Sequence, residues 1–202
     1  MSIKIILDAT KLLQVKKYVD NRNYSYYENN RSASDPKSDE VLGKLGELAV
    51  SSYIQDKFKV DAVTDFNIYS KQQKSFAADL RKNIHCKACS LYTRDILQRY
   101  GRKTAQYSWT FQGRDILQKK DEKDIVVLTF VNINHKQEEM FVFQKVQVEI
   151  VAAIPWSLMV PLLEDPLLKK HIGQKYAIYS DHLDFTKYTK NTEIKKVVKN
   201  AL

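Results

Sequence analysis

A chain of 202 residues has room for one domain with a small appendage and too little for a second full one. Hydrophobic residues make up 44% and charged residues 28%, with only 5 Gly and 4 Pro, which excludes collagen-like and compositionally disordered chains. The 33 Lys and Arg against 24 Asp and Glu leave a formal charge of +9, a balance that favours a polyanionic partner. The longest apolar stretch, Ile150 to Leu163, is broken by Pro155, Ser157 and Pro161 and falls short of the ~20 residues of a spanning helix, so no membrane partner is expected. Asp8 and a lysine-rich pattern interrupt any secretory leader at the N-terminus, and a cytoplasmic location is expected. Cys86 and Cys89 sit too close for a long-loop disulfide and read as free thiols.

In chain order, Leu12, Val15 and Val19 at helical spacing predict an amphipathic helix over 8–19. Asn21 to Lys37, with Tyr24, Tyr26 and Tyr27, reads as an exposed loop. Asp35-Pro36 offers a helix start, and Val41, Leu42, Leu45, Leu48, Ala49 and Ile54 mark a stripe running to about Lys57. Gly43 and Gly46 inside that helix each cost ~1 kcal/mol relative to Ala and predict the close approach of another backbone. Strand-like pieces follow at Val60 to Tyr69, and Phe76 to Ser90 alternates like a hairpin. Arg94 to Gln118 is mixed. Ile125 to Val131 is a continuous apolar run, as expected of a strand buried on both faces, and Met140 to Val146 and Val148 to Ala153 follow as strands. Beyond Pro155 the pattern is helical at Trp156 to Leu163, strand-like at Tyr176 to Tyr179 and helical again from Thr192 to Leu202. The expectation is a mixed α/β domain with a central sheet. Residues 1–37 form an N-terminal helix and loop, 38–154 the core, and 155–202 a C-terminal extension packed on the same domain.

With a short loop at Arg81 to Asn83, the hairpin sets Asp79 opposite His85, and Lys87 returns to the same face two residues on. Asp79, His85 and Lys87 are thereby expected to converge on a wet face, with Ala78, Leu80, Ile84, Cys86 and Ala88 turned into the core. Phosphodiester hydrolysis needs a cation, oxygen ligands to hold it and an activated water. Asp79 supplies a carboxylate, Lys87 an ammonium that positions the water, and Glu47, at the flank of the preceding helix, a second carboxylate.

Glu47 within Gly-Lys-Leu-Gly-Glu-Leu-Ala, Asp79 on a strand, and His85-Cys86-Lys87 on the next strand together resemble the PD-(D/E)XK nuclease superfamily, the fold of many restriction endonucleases and of archaeal-type Holliday-junction resolvases. The resemblance covers roughly residues 38–131. It implies a restriction-endonuclease-like core, a central mixed sheet flanked by helices, and metal-dependent cleavage of nucleic acid. Glu47, Asp79 and His85 would then be ligands for Mg²⁺ or Mn²⁺, with Lys87 completing the catalytic set. Ala78 replaces the proline of the pattern and His85 replaces its acid. A neutral imidazole there suits Mn²⁺ better than Mg²⁺, or contacts phosphate, or marks a scaffold that binds without cutting.

Residues 81–103 hold Arg81, Lys82, Lys87, Arg94, Arg99, Arg102 and Lys103 against the single acid Asp95. With Gln112, these are the expected contacts to DNA, RNA remaining open as a partner. A homodimer is expected of an enzyme that cuts two strands. Cys86 and Cys89 lack two further ligands at zinc spacing, and no Gly-rich phosphate loop, Gly-x-Ser-x-Gly elbow or His-Glu-x-x-His pair occurs.

Overall fold

In the computed structural model, residues 2–22, 34–66, 79–80, 83–113, 116, 121–136, 144–167 and 174–202 are described. Tyr24, Tyr26, Tyr27, Arg81 and Lys82 lie outside them. The elements are β1 (Ile3–Asp8), α1 (Ala9–Asp20), α2 (Ser34–Phe58), β2 (Ile84–Ser90), α3 (Leu91–Arg99), β3 (Ser108–Gln112), β4 (Ile125–Val131), β5 (Lys145–Pro155), β6 (Lys175–Tyr179) and α4 (Asn191–Ala201). Strands β1, β5, β4 and β2, in that order, make a four-stranded mixed sheet in which only β2 and β4 are parallel. A second, two-stranded antiparallel sheet pairs β3 with β6.

The apolar run Ile125–Val131 becomes β4, buried at every position because it lies between β5 and β2 with packing on both faces. On one face, Ile84 and Cys86 of β2 and Val127 of β4 meet Val50, Tyr53 and Ile54 of α2 and Ile194 and Val198 of α4. On the other face, Cys89, Val126, Leu128 and Phe130 meet Trp109 and Phe111 of β3, Ile178 of β6 and Trp156. The Trp109 indole donates to the Thr129 carbonyl at 2.8 Å and pins the small sheet to β4. At the far end, Leu12, Val15 and Val19 of α1 pack with Val41, Leu45 and Leu48 of α2 over Val146 and Val148, as their helical spacing predicts.

Several expectations change. A strand precedes α1, and β1 forms a sheet edge against β5, so the N-terminal segment is built into the main sheet. Residues 145–155 form one strand where two were expected. Trp156 to Leu163 makes two short 3₁₀ turns, Trp156–Leu158 and Val160–Leu162, because Pro161 lacks the N–H that a continuous helical ladder would need. Gly46 meets its expectation, since a Cβ there would lie 2.7 Å from Thr129 Oγ1 and 3.0 Å from Ala88 Cβ, and the missing side chain seats α2 directly on β2 and β4. Gly43 does not, for nothing lies within 4 Å of the same position. Among the described residues no helix is long and apolar enough to cross a membrane.

Candidate active site

Close seating of α2 at Gly46 carries the next residue, Glu47, into the seam between helix and sheet, where it is only 8% exposed. Lys44, one turn earlier on the same face, sets its ammonium 2.6 Å from Glu47 Oε2. The same ammonium donates to the Asp65 carbonyl at 2.7 Å and lies over the Tyr18 and Phe66 rings. Burial outweighs the attraction of Lys44 and, with the like charge of Asp79 adding to it, pushes the Glu47 carboxyl up to about 8.

Asp79 stands just before an antiparallel bridge between Leu80 and Ile84, the remnant of the expected hairpin and in its register. Its Oδ2 accepts from the Cys86 N–H at 2.6 Å, which holds the carboxylate against β2. The buried Cys86 thiol lies beside this pair. Its ionisation is pushed up by burial first, then by the charges of Asp79 and Glu47. Glu47 and Asp79, from two separate elements, thus lie within electrostatic reach of each other on the helix side of the sheet.

His85 and Lys87 do not join them. Strand alternation turns Ile84 and Cys86 to α2, as expected, and it turns His85 and Lys87 to the opposite face. That face is covered. His85 is 8% exposed, packs on Trp156 with ring centroids 5.0 Å apart, and brings Nε2 to 3.7 Å from Asp124 Oδ2. Lys87 lies 5.6 Å over the Phe111 ring. The small sheet and the turn at Trp156 bury the face that the local pattern marked as wet. The three expected ligands, Glu47, Asp79 and His85, are therefore not gathered. Among the described residues no group of three His, Cys, Asp or Glu side chains is placed to hold a metal ion.

The Lys44 contact to Glu47 is the pairing that i, i+3 spacing on a helix face favours. Asp124, the partner of His85, gave no such signal in the sequence.

The basic segment divides. Arg102 is not free to hold a backbone: its guanidinium is forked onto Glu164 at 2.7 and 2.9 Å, meets Asp181 at 2.8 Å and stacks 3.7 Å over Tyr179. Arg94 stacks 4.5 Å over Phe130. Arg99, Lys103 and Gln112 are exposed, at the end of α3, in the loop after it and at the end of β3. α3, which ends at Arg99, starts where β2 ends, at the other end of that strand from Asp79.

Comparison of the chain with protein-family models, with curated proteins and with solved structures finds no match in any of the three.

Proposed function

We propose that the protein is a metal-dependent endonuclease that hydrolyses DNA phosphodiester bonds, built on the restriction-endonuclease-like core of the PD-(D/E)XK nucleases its sequence resembles. The observation that carries this reading is the Glu47 and Asp79 pair, two carboxyl groups from separate elements, with Glu47 8% exposed and kept protonated by burial and by the charge of Asp79. A divalent cation would replace the Glu47 proton and be held by both carboxylates. Mg²⁺ is commonly held by one or two carboxylates, with waters and substrate phosphate completing its shell, so two hard oxygen donors fit Mg²⁺ or Mn²⁺ without a third ligand from the chain. Once bound, the cation would neutralise charge developing on the phosphate.

The chain's own residues do the rest. Lys44 holds Glu47 at the seam through its 2.6 Å contact, and the Cys86 N–H orients Asp79. Lys44 also supplies positive charge on the side where the phosphate would lie. Lys87, on the opposite face of β2 and over the Phe111 ring, is the weaker candidate for positioning the water. Arg99, Lys103 and Gln112 are exposed and available to the DNA backbone, and Arg81 and Lys82 continue directly from Leu80. Cutting both strands calls for two such sites, hence a homodimer. Two free, buried thiols suit the cytoplasm.

A second reading, a nucleic-acid-binding module on the same scaffold that does not cut, is favoured by His85, which stands where the resemblance expects an acid and is occupied with Asp124 and Trp156. Incubation of supercoiled plasmid and of a branched junction with Mg²⁺ or Mn²⁺ at low salt, beside Asp79→Ala and Lys87→Ala, separates the two. Metal-dependent cutting that disappears in Asp79→Ala supports the endonuclease. Binding with a steep salt dependence and no cutting under either metal supports the module.

A further inference from the structure

A cleft of about 750 Å³ runs between α1 and α2, within the ~300–1,000 Å³ typical of small-ligand sites. Two helix stripes face each other across it: Lys11, Gln14 and Tyr18 from α1, and Leu48, Ser52 and Gln55 from α2. Both stripes follow the i, i+3/i+4, i+7 spacing of one helix face. We propose that this cleft binds a nucleotide, taken free or as the terminal residue of a strand. The inference does not rest on the endonuclease reading.

Three kinds of group select that ligand. Lys11 and Lys17 provide positive charge for a phosphate. Lys11 spends one ammonium proton on Ser52 Oγ at 2.7 Å and keeps two, while Lys17 is exposed at the rim. Asp8, the one acid of the lining among the described residues, is turned back to cap α1, its Oδ1 accepting from the Lys11 N–H at 3.0 Å. Tyr18 and Phe66, in edge contact at 5.6 Å, and the 68% exposed Val63 provide an apolar wall against which a base can lie. The Gln14 amide has a donor and an acceptor that match a base edge, and Gln55, whose Nε2 donates to Asp61 Oδ1 at 3.5 Å, keeps its amide oxygen as an acceptor.

A separate observation points to an occupant. Thr64 lines the cleft, is 4% exposed, and its hydroxyl has no hydrogen-bond partner among the described residues. A buried hydroxyl left in that state is costly; it is closed off from the cleft here, and a ligand that opened the floor around Thr64 would give it a partner. With one occupied carboxylate against two lysines, the lining disfavours a metal ion, and its amides and hydroxyls disfavour a purely apolar guest.

Isothermal titration of the full chain in EDTA, where no cleavage contributes, tests the proposal. The probes are 2′-deoxyadenosine 5′-monophosphate, inorganic phosphate and a short single-stranded oligonucleotide. One-to-one saturable binding of the monophosphate is expected, with phosphate alone at least about tenfold weaker, since base contacts would be lost. Lys17→Glu, Gln14→Ala and Thr64→Val should each weaken it severalfold or more, with folding checked by circular dichroism. The oligonucleotide identifies the source: comparable affinity through its end indicates a strand terminus, and monophosphate binding alone indicates free nucleotide. Absence of saturable nucleotide binding, phosphate binding as tight as the monophosphate, or unchanged affinity in all three folded variants overturns the proposal.

Discussion

Replacing Glu47 with Gln removes a titration while keeping the shape and an acceptor for Lys44, and its consequence can be worked from the carboxyl's displacement. The folded chain holds the Glu47 proton up to about pH 8, whereas an unfolded chain releases it near 4.5. The folded state therefore binds more protons across that window, and the stability this contributes is full below about pH 4.5 and gone above about pH 8. Between pH 5 and pH 7.5 the wild type should lose about 3 kcal/mol through this group, at ~1.36 kcal/mol per pH unit. Glu47→Gln lacks that slope. Urea unfolding of both proteins across this range, in EDTA, measures the difference, because the titrations of groups not coupled to Glu47 cancel between them. The variant should gain on the wild type as pH rises. Parallel curves for the two proteins would refute the dehydrated, like-charged environment assigned to Glu47.

Metal should act on the same pair: Mn²⁺ at ten times its dissociation constant would raise wild-type stability by about 1.4 kcal/mol and leave Asp79→Ala unmoved, as read by thermal melts. Gly43→Ala should stabilise by up to about 1 kcal/mol through helix propensity, while Gly46→Ala, which drives a methyl into Ala88 and Thr129, should destabilise by about 1–3 kcal/mol in the same unfolding assay. Arg102→Ala should cost about 1–3 kcal/mol of stability with an unchanged salt slope of DNA binding, whereas Arg99→Ala should lower that slope by about 1 and spare stability. Ser90 Oγ lies 2.6 Å from His135 Nδ1 and is fully buried, so Ser90→Ala should cost about 1–2 kcal/mol in urea unfolding by leaving that ring nitrogen unpaired while Nε2 keeps Asp39 at 3.2 Å.

What the sequence discloses tracks how local the cause is. Ile125 to Val131 is legible as a doubly covered strand because six apolar residues in seven, interrupted only by Thr129, admit little else, and all seven are buried. The stripe from Val41 to Ile54 likewise announces α2. In β2 the alternation is read correctly, yet only one of its faces is assigned correctly. Cys86 goes to the core as its type suggests. His85 and Lys87 look solvated because nothing near them in sequence says that Trp109, Phe111 and Trp156 will fold over that face. Arg102 presents the same difficulty, its carboxylate partners lying 62 and 79 residues away. Glu47 and Asp79 are picked out by residue type and order, and both reach the helix side of the sheet. Lys44 stands beside Glu47 because the two are i, i+3 on α2, whereas Lys87 is kept away because the other face of β2 meets α2 and its own face meets the second sheet.

The central claim is that Glu47 and Asp79 together support metal-dependent cleavage of DNA. Single-turnover cutting of a branched junction with and without Mn²⁺, by wild type, Asp79→Asn and Glu47→Gln, tests it most directly. The account predicts cutting only with metal, and a loss of about 10²-fold or more in either variant whose fold and DNA affinity are intact. Cutting that persists in EDTA, or that survives at the wild-type rate in both variants, would contradict it.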